Sequence, residues 1–95
     1  MKTNQYDIQQ LLIENYESIQ ARGMITERTT PKDFFEKLKE EFMEWSDSNY
    51  EDKEELVDII LVAFNALIHD CTVPEILKII KGKIEVNKTR AKYGL

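Results

Sequence analysis

The spacing of apolar residues along the chain predicts four helices. Over residues 6–22 apolar side chains recur every three or four positions, the period that places them on one face of a helix. Gly23 is suited to end this helix, because the residue after a helix end often adopts a left-handed backbone conformation that costs glycine little. A connector over residues 24–29 follows. No segment alternates with a period of two residues, so the pattern predicts an all-helical protein without a sheet.

Capping residues mark where the second and fourth helices begin. Thr30 carries a hydroxyl that can accept a hydrogen bond from the first turn, and Pro31 follows it at the first helical position. Thr72 or Val73 stands in the same relation to Pro74. We therefore expect the second, third and fourth helices over about residues 31–47, 51–70 and 73–92.

The third helix combines an apolar surface with one narrow polar stripe. Apolar side chains cover about two thirds of its circumference when residues are placed at about 100° intervals. Glu55, Asp58, Asn65 and His69 form the stripe. A helix that is apolar nearly all round should be buried, and burial of a lone carboxylate is costly. The stripe must therefore face groups that compensate its charge.

The same apolar surface predicts self-association. A domain of this size has too few other helices to cover it, and soluble monomers rarely expose a large apolar patch. We expect a second copy of the chain to cover the remainder, as a homodimer or homotetramer. Phe64, Leu67 or Ile68 should lie in that interface.

Carboxylates on the second helix point to a metal ion. Glu41 and Glu44 lie along one edge of its apolar stripe, with Glu40 further out. Two carboxylates at positions i and i+3 can reach one ion. Converging carboxylates repel each other unless a cation or a proton intervenes, and an all-oxygen site favours Mg²⁺ or Mn²⁺.

The fourth helix changes from apolar to cationic along one face. Ile76 and Ile80 belong to its inner face, which Lys83, Asn87 and Arg90 continue. Such a stripe would complement a negative ligand lying over the acidic stripes of the second and third helices.

Size and charge narrow the possible functions. The chain of 95 residues is sufficient for one domain, residues 1–95, with a thin core. A formal net charge of −5 disfavours nucleic acid and anionic membranes as partners. The longest apolar run, residues 59–64, is too short to cross a bilayer. The single cysteine excludes an internal disulfide, and with no secretory signal we expect a cytoplasmic protein.

Three segments together resemble a known family. Residues 37–45, KLKEEFMEW, resemble the E-E-x-x-E helix of the MazG-like, all-α nucleoside triphosphate pyrophosphohydrolases. Residues 54–60, EELVDII, resemble the E-x-x-D helix that follows it. Lys83, Asn87 and Arg90 are similar to the Lys, Asn and Arg of the family's closing helix. The resemblance does not extend to the first helix, and the connection between the two acidic motifs is shorter than is usual in the family.

The resemblance implies a four-helix MazG-like domain that assembles into a homo-oligomeric bundle. It implies Mg²⁺-dependent hydrolysis of a nucleoside triphosphate to the monophosphate and pyrophosphate, with Glu41 or Glu44 orienting the attacking water or accepting its proton. Glu40 would be an outer ligand or a structural residue. The implied metal ligands are Glu41, Glu44, Glu55 and Asp58, and the implied substrate contacts are Lys83, Asn87, Arg90 and Asn65.

Two other functions fit the same pattern. A phosphoribosyl-ATP pyrophosphohydrolase has similar carboxylate-bearing helices. A helical interaction or regulatory protein could carry the same acidic residues for solubility alone. The base and the sugar of the substrate stay open at this point.

Overall fold

A computed structural model describes residues 7–94, which contain four helices and no strand. The predicted all-helical class is therefore confirmed, although Tyr6, the predicted first residue of the first helix, lies outside the described range. The helices are α1 Ile8–Ala21, α2 Pro31–Asp47, α3 Lys53–Asp70 and α4 Val73–Tyr93.

Side-chain caps determine where the helices begin. The Thr30 hydroxyl accepts from the backbone N–H of Asp33, whose carboxylate accepts in return from the Thr30 N–H, so α2 begins with a reciprocal capping box. Thr72 begins α4 in the same way. The predicted α3 start near residue 51 was slightly early. The Asp52 carboxylate accepts from the Glu54 N–H at 2.9 Å, and α3 begins directly after this cap.

A tight connection over residues 48–52 folds α2 back against α3. Asn49 and Tyr50 both adopt left-handed backbone conformations, with φ of 65° and 62°. The Tyr50 ring packs edge-on against Trp45, with 5.2 Å between ring centroids, and this contact supports the unusual backbone. The tight connection implied by the sequence is confirmed. It places the second half of α2 beside the first half of α3, and these two helices form the most extensive pair in the chain.

His69 joins α1, the connector and α3. Its Nε2 lies 3.1 Å from the Thr29 carbonyl oxygen, which can only accept, so Nε2 carries the proton. Its Nδ1 then accepts from the Tyr16 hydroxyl at 2.8 Å in the neutral ring. The Phe34 ring packs against the imidazole, with 5.4 Å between centroids. His69 is therefore a structural residue, and it holds α1 and the connector against α3.

The single chain leaves much of its apolar surface uncovered. Its accessible area is 7833 Å², whereas a compact monomer of this mass exposes about 5,700 Å². Its radius of gyration is 15.9 Å, against about 12.4 Å for a compact domain of this length. Only Ile25, Phe34 and Ile76 are buried apolar residues in the described range, and every residue from Lys81 to Gly94 is exposed. The predicted burial of α3 is thus not achieved within one chain, because α4 diverges from it beyond its first turns.

Candidate functional site

A cavity of about 460 Å³ lies between α1, the connector, α2 and α3. This volume is within the range of about 300–1,000 Å³ that is typical of small-molecule sites. One part of its wall is acidic, with Glu41, Glu44 and Asp58. The rest combines six apolar residues with six polar or charged ones. The apolar residues are Ile19, Met24, Ile25, Phe34, Leu61 and Val62, and the others are Asn15, Arg22, Thr29, Asp33, Lys37 and Asn65.

The predicted metal-binding carboxylates come together beside this cavity, which Glu41, Glu44 and Asp58 line and Glu55 does not. Glu41, Glu55 and Asp58 each offer one oxygen within 4.8 Å of the others, and the same is true of Glu40, Glu41 and Glu44. Glu41 belongs to both groups and is only 5% exposed. The helical period places these carboxylates on matching edges of α2 and α3, and the tight connection brings the two edges face to face. Glu41 is therefore the centre of the carboxylate cluster, which we define as Glu41, Glu44, Glu55 and Asp58.

The half-buried Glu55 has one carboxylate oxygen without a partner. Its Oε2 atom is buried and has no hydrogen-bond donor among the described residues. Burial raises the pKa of Glu55 above 4.5, and the adjacent Glu44 carboxylate adds to the rise, with smaller contributions from the charges of Asp52 and Asp58. The cluster therefore carries more negative charge than the surrounding protein compensates.

Lys37 provides part of the missing positive charge. Its Nζ lies 3.3 Å from Glu40 Oε1 and 3.4 Å from Glu41 Oε2. Desolvation is the largest single influence and would lower the pKa of Lys37, but the hydrogen bonds and charges of Glu40 and Glu41 together outweigh it and raise the pKa. Sequence reasoning assigned no site role to Lys37, although its i, i+4 spacing to Glu41 is the signal that could have found it.

A pair of amides lies elsewhere on the cavity wall. Asn65 is only 6% exposed, and its Oδ1 accepts from Asn15 Nδ2 at 3.2 Å. Both residues line the cavity. Asn65 was a predicted substrate contact, whereas Asn15 was missed. The available signal was the position of Asn15 on the apolar face of α1, four residues from both Leu11 and Ile19.

The cationic stripe of α4 does not reach the cavity of its own chain. Lys83, Asn87 and Arg90 are exposed, and none of them is among the residues that line the cavity. The stripe does follow Ile76 along one face of α4, as the helical period requires. Only the start of α4 packs on α3, however, so the second half of the helix carries these side chains away from the carboxylate cluster.

Comparison with models of known protein families, with characterised proteins and with solved structures gave no match to the chain. The MazG-like relationship therefore stays a prediction from the motifs. Within residues 7–94, none of the helices has the length and apolar character needed to span a membrane.

Proposed function

We propose that this protein is a Mg²⁺-dependent nucleoside triphosphate pyrophosphohydrolase of the MazG-like kind, which releases pyrophosphate and a nucleoside monophosphate. The observation that carries the proposal is the carboxylate cluster beside an open cavity. Three carboxylates converge within 4.8 Å around the nearly buried Glu41. Such a concentration of like charge is costly in a stable fold unless a cation offsets it.

The residues present fit a hard divalent cation. All the available donor atoms are carboxylate oxygens, the ligands that Mg²⁺ and Mn²⁺ prefer. The buried Oε2 atom of Glu55, which lacks a donor, is the group that an ion would satisfy. Glu41, Glu44, Glu55 and Asp58 would hold the ion, with Glu40 at its margin. When bound, Mg²⁺ neutralises phosphate charge and lowers the pKa of a water molecule.

The protein's own contribution would be positioning and proton transfer. Glu44 lines the cavity and is exposed, so it can accept a proton from a water molecule that approaches the α-phosphorus. The apolar part of the cavity excludes solvent from the nucleoside. Nothing in this scheme requires a protein nucleophile, because catalysis of this kind rests on electrostatic stabilisation and orientation.

The uncovered surface supports the homo-oligomer as part of the same proposal. The chain exposes about 2,100 Å² more than a compact monomer of its mass. Two copies that each buried this excess would share an interface of about 4,200 Å², in the range of obligate dimers. Exposed apolar residues on α3 and α4, such as Ile60, Leu67 and Ile79, are the surface available for it. Within such an assembly, Lys83, Asn87 and Arg90 would bind the phosphates in the neighbouring subunit's cavity.

Pyrophosphate release from a panel of ribo- and deoxyribonucleoside triphosphates tests the activity directly. We expect turnover with Mg²⁺, none with excess chelator, and loss of turnover in Asp58→Asn with the fold retained. Asp47→Asn is the matched control, because Asp47 is exposed at the end of α2 and belongs to neither carboxylate group. Near-normal turnover in Asp58→Asn would contradict the site assignment. Turnover of phosphoribosyl-ATP alone would favour the related pyrophosphohydrolase.

A further inference from the structure

The amide pair of Asn15 and Asn65 has unused hydrogen-bonding capacity inside the cavity. Each amide group offers one oxygen acceptor and one NH₂ donor group. Among the described residues the two side chains make one hydrogen bond, to each other. That bond uses one oxygen and one NH₂, so one oxygen and one NH₂ stay free whichever way the amides are turned. Neither free group is a fully buried atom, so both can be reached from the cavity, although Asn65 as a whole is only 6% exposed.

The free groups lie on the same cavity wall as the carboxylate cluster, but at a distance from it. Asn65 follows Asp58 by two helical turns, so both side chains leave α3 in nearly the same direction. The rise of a helix over seven residues is about 10 Å. A nucleoside spans such a separation between its 5′ oxygen and the hydrogen-bonding edge of its base. Phosphates near Asp58 would therefore place the base near Asn65.

The surroundings of the amide pair suit a flat ring. Ile19, Phe34 and Val62 line the same cavity and offer apolar contact to the faces of a base. Each of the common nucleobases has an edge on which a donor and an acceptor are adjacent, and the free oxygen and NH₂ of the pair complement such an edge. A phosphate has only acceptors, so it could not satisfy both free groups.

We propose that Asn15 and Asn65 form the nucleobase-binding site of this protein and determine which base it accepts. The inference rests on the proposed function for the position of the phosphates. Discrimination follows because a base with the wrong edge would leave buried polar groups without partners. Asn15 is then a specificity-determining residue contributed by α1, the one helix without a family signature.

The test compares wild type, Asn15→Ala and Asn15→Asp over the triphosphate panel. Asn15→Ala should lower kcat/KM at least tenfold for the triphosphate with the preferred base. The values of kcat/KM for the different bases should also become more similar. Asn15→Asp replaces the Asn15 NH₂ donor group with an acceptor oxygen, so it should change the order of preference. Ser18→Ala, an exposed change on the same helix, is the control and should match wild type. Equal losses for all bases, with an unchanged order, would overturn the inference.

A binding measurement separates this inference from the proposed function. Calorimetry with the nucleosides, without metal, reports binding that involves no phosphate contact. Wild-type binding that Asn15→Ala weakens at least tenfold, without any hydrolysis, would refute the proposed function and support the base site. If Asn15→Ala still hydrolyses the triphosphates with the base preference of the wild type, the result would support the proposed function and refute the base site. Matched ribo- and deoxyribonucleotide substrates show whether Asn15 and Asn65 contact the sugar instead of the base. In that case kcat/KM would depend on the 2′ hydroxyl and not on the base. That result would overturn the proposal.

Discussion

Replacing Lys37 with glutamine should reveal how much the carboxylate cluster depends on a cation. Lys37 Nζ lies 3.4 Å from Glu41 Oε2, and the substitution removes this charge while keeping much of the aliphatic side chain. Glu41, at 5% exposure, would then lie beside Glu55 and Asp58 without its ion-pair partner. We expect Lys37→Gln to be less stable than the wild type without metal and to regain most of the lost stability when Mg²⁺ is added.

The size of the effect follows from the geometry. At 3.4 Å a unit ion pair is worth about 5 kcal/mol at an effective dielectric constant of about 20, and about 1 kcal/mol in water. The Lys37 side chain is 43% exposed, so solvent screening reduces the net loss to about 1–2 kcal/mol. In a domain of this size that loss lowers the Tm by about 4–16 °C.

Thermal melting with and without Mg²⁺, at one fixed protein concentration, is the assay. Mg²⁺ at ten times its Kd should stabilise the wild type by about 1.4 kcal/mol. The gain should be larger in Lys37→Gln, because the ion replaces the missing charge. Lys39→Gln is the control, since Lys39 pairs with Glu36 at 3.0 Å on the solvated side of the same helix. Equal Mg²⁺ gains in wild type and Lys37→Gln would refute the reasoning.

The remaining predictions concern pH and assembly. The pKa of Glu55 is raised on folding, so between 4.5 and that raised value the native state binds more protons and the free energy of unfolding falls as pH rises. Glu55→Gln should weaken the pH dependence of the free energy of unfolding, measured by thermal melting without metal. An unchanged pH dependence would contradict this prediction. Light scattering should give at least a dimer, whereas a folded monomer of 11.2 kDa at micromolar concentration would exclude it. Leu67→Glu should prevent folding, because it places an unpaired charge in the interface, and a soluble, folded Leu67→Glu monomer would contradict this. Each site should combine Asp58 of one copy with Arg90 of the other, so mixing the inactive variants Asp58→Asn and Arg90→Ala should restore part of the activity. If no activity returned, Arg90 would not belong to the neighbouring copy's site.

Local signals in the sequence were sufficient for the helices and for the acidic edges. Thr30 and Thr72 act through hydrogen bonds to residues three positions away, so their capping roles can be predicted without knowledge of the fold. The positions of Glu41 and Asp58 on their helices follow from the helical period in the same way. The short segment after α2 likewise indicated a tight connection between the two helices.

Tertiary structure decided which of these side chains meet. The pairing of Asn15 with Asn65 spans 50 residues of sequence and depends on how α1 is rotated against α3, which no local signal specifies. The same holds for α4. The helical period places Arg90 on the same face of α4 as Ile76, but it does not determine how much of α4 packs on α3. Periodicity determines the direction of a side chain around its own helix. The crossing and divergence of helices depend on packing between residues distant in sequence, and for α4 we expect this to depend on a second copy of the chain.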